Sequence, residues 1–232
     1  LPQVIEHALQ LGEPRWHVQI GGERLDGYKA LAACLTRAID EGVPITDADY
    51  LVEMTDAELR IVLRGVGTIP MLDRRVENLV EVGEAIRDRF AGAFTNAITE
   101  ARGSAISLVR IVSDAILSFN DVADYRGRDI RFYKRAQLLL ADLQGAFRGE
   151  SWGRFTDLDE LTCFSDYKLP QVLRHLGIMV YDESLAQKVD NRFLLTSGGR
   201  EEIEIRSATI WAVELLRREL NSLGASFRAI EL

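Results

Sequence analysis

From Tyr28 onward, apolar residues recur at three- and four-residue spacing in one segment after another, and glycines punctuate the joins. That period is helical, and Leu79, Val82, Ile86 and Phe90 trace one such face. The spacing predicts helices over 28–41, 47–53, 56–64, 71–90, 93–101, 104–117, 131–148, 157–163, 168–177, 182–189 and 202–223. Thr55 with Glu58 has the spacing of a capping box, in which each side chain satisfies a backbone N–H at the helix start. Only 16–25 reads as strand, with apolar alternation on both sides of Gly21-Gly22, a pair that supplies the positive φ of a tight hairpin turn. No stretch alternates strand with helix, which argues against a parallel α/β sheet. The expected fold class is all-α with a small N-terminal β-hairpin. No linker-like change of composition divides the chain, so 1–232 is expected to form a single domain.

Composition narrows the function. With 232 residues, 47% of them hydrophobic, the chain is long enough for a sizeable core. A net charge of −8 argues against a general nucleic-acid binder, which presents a basic face, but leaves room for a local basic pocket that holds one phosphate. Cys34 and Cys163 have no CxxC spacing and form no disulfide framework, so a reducing, cytoplasmic location is the simpler reading. No apolar run approaches the roughly 18 residues of a membrane span. His7, His17 and His175 lack both the mutual spacing and the Cys neighbours of a zinc site, so no metal is expected. Neither a Walker loop nor GxSxG is present, and Gly65-Val66-Gly67 is only a loop, so no organic cofactor is expected either.

Two short stretches concentrate the chemistry. Cys163-Phe164-Ser165-Asp166-Tyr167-Lys168-Leu169-Pro170-Gln171 places an acid, a hydroxyl, two aromatics and a Lys just before a helix. Asp166 there has two readings. It can cap that helix by accepting backbone N–H groups. It can also be a catalytic carboxylate, partly desolvated between Phe164 and Tyr167, that stabilises a developing cation. Cleavage of an N-glycosidic bond generates such a cation on the sugar. The second stretch, Phe132-Tyr133-Lys134-Arg135-Ala136-Gln137, opens an apolar helix with two cations. The helix dipole disfavours cations at that end, so either they form a solvated first turn or an anion is bound there. Arg206, inside Glu204-Ile205-Arg206, has Glu202 and Glu204 as local ion-pair partners. Asp157, Asp159 and Glu160 read as a capping and solvated acidic face.

Taken together, these segments resemble the queuosine salvage family, the queuosine 5′-phosphate N-glycosylase/hydrolases. The resemblance is carried by Gly27-Tyr28, Asp40 to Thr46, Phe132 to Gln137 with Ala141-Asp142, Phe164 to Gln171 with His175-Leu176-Gly177, and Glu202 to Arg206 with Trp211. It runs in order from about 25 to 220. It implies a helical fold related to helix-hairpin-helix DNA glycosylases and the release of queuine from queuosine 5′-phosphate. It also implies that Asp166 is the catalytic nucleophile or cation stabiliser, that Phe164 lines the base pocket, and that Lys134 lies near the substrate. The family pattern includes an Asp-x-Leu-Asn-Phe-Ser-Phe-Trp-like segment before the hairpin, which 1–14 lacks, and an Asp-x-x-Leu-Trp-like tail not found before Leu232. Further base-pocket residues are therefore expected in segments outside this sequence.

The expected function is hydrolysis of the C1′–N9 bond of queuosine 5′-phosphate, with queuine as product and no stable nucleic-acid partner or membrane attachment. Asp166 would act on the ribosyl carbon, Lys134 and Lys168 would hold the 5′-phosphate, and Phe164, Ser165 and Tyr167 would complete the substrate site. One rival is a non-catalytic protein that binds a modified nucleoside or RNA. A DNA glycosylase is another, but it would need a basic groove that the sequence does not show.

Overall fold

The computed structural model describes residues 16–232 of the chain, so His7 and the expectation about 1–14 lie outside the described residues. The described residues form two compact units, one ending at Phe94 and the other running from Thr95 to Leu232.

The first unit opens with the hairpin. Strands β1 (His17–Ile20) and β2 (Glu23–Asp26) pair antiparallel, with Ile20 opposite Glu23. Gly21 and Gly22 take φ of 60° and 82°, the conformation that lets a two-residue loop match the strand twist. Four helices follow: α1 (Gly27–Asp40), α2 (Ala48–Val52), α3 (Asp56–Val62) and α4 (Leu72–Glu84). The Thr55–Glu58 capping box is formed at the start of α3. At α2, Asp47 is the cap, accepting from the N–H groups of Asp49 and Tyr50. Trp16, Val18, Cys34, Leu59 and Val62 close the core of this unit. The long helix expected over 71–90 is shorter, since α4 gives way to a π-helical turn at Ala85–Arg89. Gly83 permits α4 to lie against α2, because a Cβ there would come within 2.8 Å of Leu51 Cβ.

The second unit carries α5 (Thr95–Glu100), α6 (Ala105–Ala115), α7 (Lys134–Ala146), α8 (Leu169–His175), α9 (Glu183–Asp190) and the long α10 (Arg200–Ser222). A second hairpin, not expected from the sequence, separates α6 from α7. Its strands are β3 (Val122–Asp124) and β4 (Asp129–Arg131). Its turn is Arg126-Gly127, both at positive φ, where the usual first residue is Asn or Asp. Three-residue strands rich in Asp and Arg carry too little alternation to register as strand. Because of this hairpin the helix expected at 131 begins at Lys134. The helix expected over 157–163 is absent, and in its place a single 3₁₀ turn at Leu158–Glu160 leads into extended chain. The reason is that Asp157 serves another helix. Its carboxylate accepts from Ser104 Oγ at 2.7 Å and from the N–H groups of Ala105 and Ile106, capping α6. Cys163, Leu173, Met179 and Val213 form a buried cluster where the extended segment, α8 and α10 meet.

Candidate active site

The site lies within the second unit, where the extended segment after Leu161 runs into α8 beside the start of α7. Two kinds of bond hold that segment in place. The Gln137 side chain clasps Thr162, its Oε1 accepting from Thr162 N–H at 2.7 Å, while its Nε2 donates to Phe132 carbonyl at 2.8 Å. Ser165 is buried, and its hydroxyl donates to the Arg206 carbonyl on α10 at 2.9 Å. Asp166 follows directly.

The Asp166 carboxylate divides its two oxygens. Oδ1 accepts from Lys168 N–H at 2.8 Å and from Leu169 N–H at 3.1 Å, so it orders the entry to α8. Oδ2 faces the Lys134 ammonium at 3.9 Å. The capping reading of Asp166 is met through Oδ1, while Oδ2 is turned towards Lys134 instead of the backbone. The Asp166 side chain is 28% exposed and that of Lys134 is 20% exposed, so the pair is partly shielded from solvent. Burial holds the Lys134 ammonium below its ordinary pKa. Asp166 opposes that effect, and the neighbouring charges of Arg135 and Arg206 add to it. The Cys163 thiol is pushed up to about 12, first by burial and then by the negative charge of Asp166. Both cysteines are buried free thiols.

Lys134 reaches this position through an unusual backbone. Tyr133 caps α7 in the left-handed region, with φ 46°, which a bulky residue rarely adopts. Neighbouring bonds hold it there. The N–H groups of Phe132 and Tyr133 both donate to the Asp121 carbonyl, at 2.9 and 3.2 Å, and Gln137 N–H donates to the Tyr133 carbonyl at 2.9 Å. Strain of this sort persists where surrounding contacts over-determine the backbone, and such places cluster at functional sites.

Beneath Lys134 sits a second charged pair. Arg206 grips Asp121 with two N–H···O bonds, at 2.9 and 2.5 Å, and stacks its guanidinium 3.8 Å from the Phe132 ring centre. Glu202 stands at 3.6 Å as a weaker partner. Glu204, the other local partner expected for Arg206, is engaged by Tyr125 and Arg200. Asp121 is thus the residue that sequence reasoning missed. It lies 85 positions before Arg206, and no spacing signal links the two.

The remaining expected site residues surround this centre unevenly. Phe164 is half-buried beside Ser165, whereas Tyr167 and Lys168 are exposed, and Lys168 meets Asp166 through its backbone N–H. Next to the start of α7 opens a cleft of about 460 Å³ whose lining includes Tyr133, Gln137, Thr162, Arg110 and Arg131. Among the described residues no group of three His, Cys, Asp or Glu is arranged to hold a metal ion. No described helix is long and apolar enough to cross a membrane.

The model of the family described as queuosine salvage protein matches residues 7–230, nearly the whole chain. The chain belongs to the queuosine salvage protein family. It is 52% identical over 221 residues to the queuosine 5′-phosphate N-glycosylase/hydrolase of Sphaerobacter thermophilus, an alignment covering 95% of this chain and 68% of that protein. It is 39% identical over 207 residues to the Bos taurus protein of the same name, covering 88% of this chain and 61% of that one. To the Mus musculus protein it is 37% identical over 208 residues, covering 89% and 62%. The chain thus spans about two-thirds of its bacterial relative and somewhat less of the mammalian ones. The family resemblance read from the Phe132–Gln137 and Phe164–Gln171 segments is borne out, and both segments meet at one site.

Proposed function

We propose that this protein hydrolyses the N-glycosidic bond of queuosine 5′-phosphate and releases queuine for salvage into tRNA. The observation that carries this reading is the divided Asp166 carboxylate. One oxygen is pinned by two N–H groups, and the other is held 3.9 Å from the Lys134 ammonium in a partly shielded position. A fixed carboxylate loses little energy to reorganisation as positive charge develops, so it favours the transition state over the ground state. As the C1′–N9 bond breaks, its electron pair leaves with the base. Asp166 Oδ2 stabilises the ribosyl cation or bonds to C1′. Water then supplies hydroxyl to C1′, breaking the C1′–Oδ2 bond and freeing the carboxylate where that bond has formed, and its proton accounts for the N–H of the departing base, giving queuine and ribose 5-phosphate.

In this reading Lys134 and Lys168 hold the 5′-phosphate as charge-assisted donors. Phe164 and Tyr167 pack on the flat base, and Ser165 contributes by fixing the loop to α10. No metal or organic cofactor takes part. The relatives' shared name and the family match over residues 7–230 support the same reaction, and a single N-glycosylase-like domain over 1–232 is part of this proposal. Helix α8, the turn at Gly177 and helix α9 are consistent with kinship to helix-hairpin-helix DNA glycosylases. The net charge of −8 disfavours a stable nucleic-acid partner, and the two free cysteines support a cytoplasmic location within this proposal. The test is direct: incubate the protein with queuosine 5′-phosphate and look for queuine by mass. Binding of substrate or product without release of queuine would favour a nucleoside-binding protein instead.

A further inference from the structure

We infer that Arg206 is the positioning residue of this site, setting the separation of Lys134 and Asp166 from both sides. The inference rests on the reading of those two residues given above. The Arg206 side chain orients Asp121, whose carbonyl accepts from Phe132 and Tyr133 N–H and whose Oδ2 accepts from Lys134 N–H at 3.3 Å. The Arg206 guanidinium also lies on the Phe132 ring. Its main-chain carbonyl, meanwhile, accepts from Ser165, the residue before Asp166. One residue of α10 therefore tethers the segment that presents the ammonium and the loop that presents the carboxylate.

This arrangement does more than hold the fold. Helix α10 has other anchors: Thr209 Oγ1 meets Met179 Sδ at 3.6 Å, Cys163 Sγ approaches the Thr209 carbonyl at 3.9 Å, and Val213 joins the buried cluster. The Arg206 side chain is only 14% exposed and its partner Asp121 is 26% exposed, which suits a charge pair with a fixed geometry. Lysine could not replace it, because an ammonium lacks the planar fork that meets a carboxylate with two bonds and stacks on a ring. The charges facing Lys134 are Asp166, Arg135, Arg206 and Asp121. Arg206 and Asp121 act on it in opposite directions, Arg206 lowering its pKa and Asp121 raising it. Removing either one alone leaves the other uncompensated beside Lys134, with opposite consequences.

The experiment uses the full chain as wild type, Arg206→Met, Arg206→Lys, Asp121→Asn, the double variant Arg206→Met/Asp121→Asn, and Ser165→Ala. Two readouts are taken: kcat and KM for queuine release across pH, and titration of the Lys134 side chain by ¹³C NMR. The chain has only four lysines, Lys29, Lys134, Lys168 and Lys188, so the signal is assignable. A displacement of reacting groups by about 1 Å costs on the order of 10²-fold in rate. Arg206→Met is expected to lose kcat on that scale while KM changes much less, and Arg206→Lys to regain little of it. The Lys134 titration should move to higher pH in Arg206→Met, to lower pH in Asp121→Asn, and back towards wild type in the double variant. Ser165→Ala removes one hydroxyl and serves if the Arg206 variants do not fold; its kcat should fall about tenfold or more with KM nearly unchanged. Wild-type kcat in folded Arg206→Met or in Ser165→Ala would overturn the inference, and so would a Lys134 titration that moves the same way in both single charge variants. A wild type that releases no queuine but shows the opposed Lys134 shifts would overturn the reaction and leave the tether standing.

Discussion

The Lys134 ammonium stands 3.9 Å from Asp166 Oδ2, while the other oxygen of that carboxylate is occupied by the backbone N–H groups of Lys168 and Leu169. The carboxylate is thus fixed in direction before any substrate arrives. Its function and its capping role can be separated by substitution, because an amide oxygen accepts the same two N–H bonds.

Asp166→Asn should retain the fold and lose turnover. The amide keeps the Oδ1 contacts but carries no negative charge to set against a ribosyl cation. Loss of one preorganised electrostatic group costs on the order of 10²–10³ in rate, and more if the group is a nucleophile. Asp166→Ala should lose the cap as well, at about 1 kcal/mol of stability. Queuine release measured beside a thermal melt separates the two effects. Near wild-type turnover in Asp166→Asn would remove Asp166 from the mechanism.

The substrate should need its 5′-phosphate. The Lys134 ammonium stands beside Asp166 in a protein of net charge −8, and phosphate binding energy can be used to place the sugar. Queuosine and queuosine 5′-phosphate, compared under the same conditions, should differ in kcat/KM, and Lys134→Ala should narrow the gap. Equal values for the two substrates would exclude the phosphate role.

Lys134→Met should stabilise the protein at neutral pH while depressing activity. Burial lowers the Lys134 pKa in the folded state, so the unfolded chain binds that proton more tightly. The charged lysine therefore opposes folding at neutral pH, and wild-type stability recovers as pH rises from the folded pKa towards the unfolded value of about 10.4. The melting-temperature advantage of Lys134→Met should shrink over that alkaline window. An advantage that grows with pH would contradict the assignment.

Glu214 should contribute to acid sensitivity. Hydrogen bonds from Arg217, and then from Arg218, bring its pKa down to about 2. A depressed carboxylate contributes stability that is fully present above its unfolded pKa and is lost as pH falls towards the folded one. Glu214→Gln should therefore flatten the decline in melting temperature between about pH 4.5 and 2. A decline as steep as that of the wild type would show that other carboxylates dominate.

Activity should survive dialysis against a chelator and need no added nicotinamide or flavin. In the proposed reaction the charge to be stabilised is positive and sits on the sugar, so a carboxylate serves where a Lewis acid would bring charge of the wrong sign. Activity lost to chelator and restored by one particular metal would mean that the carboxylate mechanism is wrong.

The sequence by itself determined the helical character of the chain, the first hairpin, the Thr55–Glu58 cap and the family, because each depends on residues close together. Apolar period, a Gly-Gly turn and a four-residue box are local signals. It also marked Lys134 and Asp166, since each lies in a dense motif. Tertiary structure decided which residues stand beside them. Only folding brings Asp121 under Arg206, turns Asp157 to cap α6 instead of its own segment, and seats the Ser165 hydroxyl on α10. The second hairpin also belongs to this group, because its three-residue strands are too short to show a period. The physical reason is common to all of these. A hydrogen bond or ion pair is specified by distance and direction in space, and between segments far apart in the chain no spacing rule connects one partner to the other.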